Sequence, residues 1–227
     1  FNGREWLDRG ITTLRDLSRC SEVTVCLKKA QQMGIVTSSK IVSSGQVFST
    51  ASQLCSVVPP PLILHRADLG VADGVDEIRK RVRDLVLQEA DCMKTSSGSG
   101  CATGELNWRN YTLEELTALC DEAQAWGRTV ACHCHSAASI SNIVHASAAA
   151  NATTTVDHGS FLKDCDSETI KLMKEKPIYL VPTVGIHERP PYAQTVDKMP
   201  EPYRHNIQMV EGVAKESFRF AVKEGIK

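Results

Sequence analysis

Short runs of β-branched and apolar residues alternate along this chain with stretches whose apolar positions return every three or four residues. Residues 3–9 read as the end of a helix, and ITTLRDL (11–17) as a strand. A helix is predicted from Ser21 to Met33 and a weak strand over 40–44, followed by an irregular stretch (45–72) with Pro59, Pro60 and Pro61. Asp73 is placed to cap a helix whose inner face is Val75, Ile78, Val82, Leu85 and Val86. That helix leads into the strand ADCMKT (90–95) and a small-residue loop, SSGSGCATG. Thr112 and Glu115 have the spacing of a capping box, opening a helix that Gly127 stops after Trp126. The strand RTVACHCH (128–135), a helix over 137–149, the strand TTTVDH (153–158), a helix over 166–176 and the strand PIYLVPTV (177–184) follow. A loop with Pro190, Pro191 and Pro200 precedes a last helix over 203–224. Strands and helices that alternate in this way predict a parallel sheet with right-handed crossovers.

Composition narrows the function classes. Hydrophobic residues make up 42% and charged residues 23% of the 227, the balance of a globular domain with one sizeable core. A formal charge of −1 argues against a nucleic-acid partner, which needs clustered Lys and Arg. No run reaches the length of a membrane span, and FNGREWLDRG has no apolar core of a signal peptide. The nine cysteines are odd in number and lack CxxC spacing, which favours free thiols, a reducing compartment and a cytoplasmic location.

Three features could carry chemistry. In HCH (133–135) strand alternation puts His133 and His135 on one face and Cys132 and Cys134 on the other, so a zinc knuckle is disfavoured. On spacing alone the pair is equally a pair of ordinary buried or rim histidines. His158 ends an apolar strand just before Gly159, at the same place on its strand as His133 on the preceding one, while Asp157 is expected on the opposite face, paired with a helix. Neighbouring parallel strands that both end in histidine suit a metal site at the carboxyl mouth of a barrel. Lys94 lies in an apolar strand, where a buried ammonium is costly. Either its amine reaches solvent from the strand end, or it is desolvated and neutral and can take up carbon dioxide as a metal-bridging carbamate.

The order and wording of these segments resemble the amidohydrolase superfamily, in its imidazolonepropionase-like and Xaa-Pro dipeptidase branch. GITTLRDL is similar to the family's second barrel strand. GVDEIRKRVRDLVLQEADCMKT is similar to the helix and fourth strand that carry the carboxylated lysine, here Lys94. YTLEELTALCDEAQAWGRTVACHCHS resembles the helix and fifth strand, whose first histidine (His133) binds metal and whose second (His135) faces the substrate and steadies the attacked carbonyl. VDHGSFL resembles the sixth strand, with His158 as its metal ligand.

The resemblance implies a (β/α)8 barrel of TIM type, here partial because it lacks the first and eighth strands, forming a single truncated domain over 1–227. It implies a metal-dependent hydrolase of amide or peptide-like C–N bonds, with two Zn²⁺ ions bridged by carboxylated Lys94 and a metal-activated hydroxide. The partner would be a small molecule, a dipeptide or N-acyl amino acid, with His187, Arg189 and Tyr179 as substrate-binding candidates and a homo-oligomer as an open possibility. A solvated loop is the alternative for His187 and Arg189. The family's HxH pair and the aspartate of its eighth strand have no counterpart in these residues. The segment between His133 and His158 is longer than the family pattern, and SSGQVFSTASQLCSVVPPPLIL departs from it. The chain on its own is therefore expected to bind metal weakly and to be inactive, and the rival reading is a non-catalytic relic or mispredicted fragment that serves at most as an interaction module.

Overall fold

A computed structural model describes residues 3–17, 21–49, 70–98, 106–185, 198, 201 and 203–227. The elements follow the alternation in the sequence: α1 (Gly3–Asp8), β1 (Thr13–Asp16), α2 (Ser21–Gln32), β2 (Lys40–Gln46), α3 (Val75–Leu87), β3 (Cys92–Ser96) and α4 (Leu113–Ala125). After them come β4 (Thr129–Cys134), α5 (Ala137–Ala150), β5 (Thr154–His158), a 3₁₀ turn (Leu162–Asp164), α6 (Ser167–Glu175), β6 (Ile178–Val181) and α7 (Tyr203–Glu224).

The six strands pair in chain order and all in parallel. In a flat sheet β1 and β5 would lie about 19 Å apart, four steps of about 4.8 Å. Arg15 on β1 nevertheless donates to Thr155 Oγ1 on β5 at 3.2 Å. The sheet is therefore curled into a partial (β/α)8 barrel, as the sequence predicts.

Curling gives the sheet two unlike faces. The convex face is apolar: Met93, Val130, Cys132, Cys134, Val156 and Ile178 pack with Leu85, Leu116, Ile140 and Val144 of the helices in one core. Gly45 admits this packing, since a Cβ there would meet Leu85 Cδ2 at 2.5 Å. Burying each such side chain is worth about 1.5–3 kcal/mol. The concave face is polar. One level holds Lys94, Ala131, Thr155 and Tyr179 in register, and the next towards the carboxyl ends holds Ser96, His133 and Asp157.

Local signals explain most boundaries. Thr112 and Glu115 form the predicted capping box of α4, and Gly127 beyond its end takes a left-handed φ of 63°. Asp166 caps α6, and Asn151 closes α5 in the left-handed region. The cap of α3 differs from expectation: it is Gly74, not Asp73, and the Gly74 N–H donates to Glu115 Oε1 at 2.9 Å. The strand expected over 177–184 ends at Val181, because Pro182 follows and Thr183 adopts a φ of 47°. Beside β6, the Leu180 N–H donates to the carbonyl of Lys227 at 2.8 Å.

Among the described residues Cys26, Cys92, Cys120, Cys132, Cys134 and Cys165 are free thiols, as the sequence suggests. No described helix is long and apolar enough to cross a membrane.

Candidate metal centre

Strand alternation carries His133 and His135 to the concave side at the carboxyl end of β4, while Cys132 and Cys134 go to the core. His158 arrives by another route. Its register partner is Cys134, and that of His133 is Asp157, so β5 is offset by one position from the alignment expected in the sequence. Simple alternation would send His158 outward with Val156. A φ of 74° turns it inward instead, and Gly159 continues the turn at φ 59°. The Gly159 N–H donates to the Cys134 carbonyl at 3.0 Å, which fixes the turn against β4.

The three imidazoles converge. Their ring centroids lie 4.8 Å (His133–His135), 4.5 Å (His133–His158) and 4.7 Å (His135–His158) apart. His135 and His158 are stacked, and His133 stands steeply to both. One ligand atom from each gathers within 4.8 Å of the others. Hydroxyls hold two of the rings: Ser160 Oγ is 2.8 Å from His135 Nδ1, and Thr183 Oγ1 is 2.7 Å from His158 Nδ1. His158 Nε2 is 2.9 Å from His133 Nδ1. His133 Nε2 is shielded from water and has no hydrogen-bond partner. Burial, with the charges of His135, His158 and Lys94 added, holds the His133 pKa well below the ordinary imidazole value, so the ring is neutral.

These features fit a divalent cation. Neutral imidazole nitrogens are the donors that zinc and its neighbours prefer, and His133 also has a buried ring nitrogen with no hydrogen-bond partner. His133, His135 and His158 are the residues able to hold it.

Lys94 is buried on the concave face of β3, its side chain 9% exposed, and its amine donates to Asp157. Asp157 also accepts from Thr155 Oγ1 at 2.9 Å and has Arg15 at 3.7 Å. Asp157 therefore does not pair with a helix on the opposite face: the offset register of β5 turns it into the concave side, where two cations meet it. Tyr179 lies on the same face by register with Thr155, 42% exposed, with Lys227 Nζ 5.8 Å from its ring centroid. His187 and Arg189 lie outside the described residues. Arg15, Ser160 and Thr183 were not singled out in the sequence. Of these, only the charge of Arg15 within its strand could have drawn attention to it.

The amidohydrolase family model matches residues 3–222, and the chain belongs to this family. Over 202 residues it is 28% identical to ochratoxinase of Aspergillus niger, an alignment that covers 81% of this chain and 40% of that enzyme. The crystal structure of A. niger ochratoxinase superposes with a TM-score of 0.81 at 24% identity, over 98% of this chain and 52% of that one. That of a Xaa-Pro dipeptidase with methionine bound in its active site also gives 0.81 at 24% identity, over 100% of this chain and 55% of that one. A further amidohydrolase crystal structure, 28% identical, gives 0.80 over 99% and 55%. The chain thus spans only about half the length of the solved structures it matches.

Proposed function

We propose that the concave face described above is part of the active site of a metal-dependent hydrolase that cleaves amide or peptide-like C–N bonds in small molecules. The observation that carries this reading is the convergence of His133, His135 and His158, one ligand nitrogen of each lying within 4.8 Å of the others. Family membership supports the reaction class.

In this reading His133 and His158 hold a divalent ion, with Zn²⁺ the ion best matched to neutral imidazoles. When bound, the ion supplies Lewis acidity to the scissile carbonyl and brings water towards a pKa of about 7. His135, buried and oriented through Ser160, is directed at the carbonyl oxygen and steadies the negative charge that develops there. Lys94 is the residue whose carboxylated form would bridge a second ion, and this requires its amine to leave Asp157. Tyr179, open on the concave face, is placed to contact the substrate. The substrates favoured are dipeptides, in keeping with the similarity to a Xaa-Pro dipeptidase, and N-acyl amino acids.

The test is amide hydrolysis by the protein that carries this chain, on a panel of Xaa-Pro dipeptides and N-acyl amino acids, with and without chelator. Hydrolysis that chelator removes and Zn²⁺ restores is expected, together with loss of metal in His133→Ala. For His135→Gln the metal should be retained while kcat falls about 100-fold. Turnover insensitive to chelator and to both substitutions would refute the reading.

A further inference from the structure

A cavity of about 320 Å³ lies between the segment 106–113 and the first turns of α5, with Ser97, Trp108, Arg109, Leu113, Asn142 and His145 in its wall. This volume is at the small end of the range for small-molecule sites. Ser97 follows Ser96, and Ser136, also in the wall, follows His135. Ser96 and His135 face the concave side, so the cavity opens on the other side of the strand ends. None of His133, His135 and His158 lines it. Gly98 lets the chain close here: its backbone bridges to Arg109, and a Cβ would meet Ser139 Cβ at 2.8 Å.

The chemistry of the wall is one-sided. Ser97 is 1% exposed, and its hydroxyl is buried without a hydrogen-bond partner. Its backbone is engaged, the N–H donating to the His133 carbonyl and the carbonyl accepting from Asn110, each at 3.2 Å. A buried hydroxyl left in this way costs free energy until a partner reaches it. Arg109 is exposed at the rim, and no described carboxylate pairs with it. No acidic residue is among the described residues that line the cavity. Ser136 caps α5 in the wall, which adds the positive end of a helix dipole. The carboxylate that His145 influences, Asp166, is engaged in capping α6 through the Thr169 N–H at 2.7 Å. Trp108 and Leu113, 53% and 48% exposed, supply an apolar wall beside these donors.

We propose that this cavity binds a small carboxylate with an apolar body of one ring. Arg109 and Ser97 hold the carboxylate, and Trp108 and Leu113 cover the body. Arg109 pairs with Gly98, the residue after Ser97, which brings the two donors' backbones to one end of the cavity. A guanidinium matches a planar carboxylate with two parallel hydrogen bonds. Inorganic phosphate would satisfy the same donors but leave Trp108 and Leu113 in water, so a carboxylate with an apolar body is favoured. The site is separate from the metal centre, and the inference does not depend on hydrolysis.

The experiment is fluorine-detected NMR titration of the metal-free full chain with 4-fluorophenylacetate, and with 4-fluorophenylacetamide as its neutral counterpart. The unmodified protein is compared with Arg109→Met, Ser97→Ala and His133→Ala. Saturable binding of the carboxylate is expected, about tenfold or more tighter than that of the amide. Arg109→Met, at an exposed position, should weaken it about tenfold or more, and Ser97→Ala about threefold. His133→Ala should leave it unchanged, because that residue does not line the cavity. Absence of saturable binding, equal binding of the amide, or binding that survives Arg109→Met would overturn the proposal. Loss of binding in a folded His133→Ala would also overturn it, by placing the ligand on the concave face. If Ser97→Ala or His133→Ala does not fold, Arg109→Met and the amide decide.

Discussion

Lys94 and Asp157, on strands separated by β4, meet in an ion pair buried on the concave face of the sheet. Two cations, Lys94 and Arg15, share this one carboxylate. The arrangement predicts unequal effects of removing either partner. Asp157→Asn leaves two facing cations without an anion and should lower unfolding free energy by about 3 kcal/mol or more. Lys94→Met leaves Asp157 with Arg15 and should cost about 1–2 kcal/mol less than that. Urea unfolding of the metal-free chain measures both, and equal losses would show that Arg15 does not share the charge.

A second consequence concerns carboxylation. Carbon dioxide reacts only with an amine that has left its carboxylate, so Asp157→Asn should raise carbamate occupancy at Lys94 in bicarbonate buffer, read as a ¹³C-carbonyl resonance that Lys94→Met abolishes. No rise in occupancy would mean that Asp157 does not compete for the amine.

The hinge of the site is testable at Gly159. Its φ of 59° disfavours any side chain, and a Cβ would meet Leu180 Cδ1 at 2.5 Å. Gly159→Ala should destabilise the fold by about 1–3 kcal/mol and weaken metal binding, because the turn that brings His158 inward is displaced. Thermal unfolding and Zn²⁺ titration together check this, and a loss of stability with unchanged metal binding would separate the turn from the site.

Away from the site, Glu122 on α4 accepts from Arg83, Trp126 and Arg79, which joins α3 to α4. The Arg83 hydrogen bond foremost, with those of Trp126 and Arg79, outweighs desolvation and holds its carboxyl at about 2, below the ordinary 4.5. A depressed folded pKa gives stability that is complete above about 4.5 and is lost as pH falls towards 2. Glu122→Gln should therefore flatten this acid limb and cost about 1 kcal/mol at neutral pH, since the arginines remain partly solvated. Unfolding curves between pH 2 and 7 supply the comparison.

Much of this was legible in the sequence because it depends on local rules. The HCH pair needs only strand alternation to place His133 and His135 together, and Thr112 with Glu115 needs only helix-capping geometry. Asp157 was misplaced because its face depends on the register of β5 against β4, which no local pattern encodes. His158 was placed at the right end of its strand but for an incomplete reason: a positive φ, not alternation, turns it inward. Arg15 could not be connected to Asp157 before the curvature of the sheet was known. Thr183 was read as the end of a strand because its left-handed backbone after Pro182, and its contact with His158, are not signalled by the apolar run PIYLVPTV.

The central claim is that His133 and His158 hold a divalent ion beside His135, and Zn²⁺ titration of the metal-free chain by calorimetry tests it most directly. The account predicts saturable binding that disappears in both His133→Ala and His158→Ala while the fold is retained. Absence of saturable binding, or binding that survives both substitutions, would contradict it.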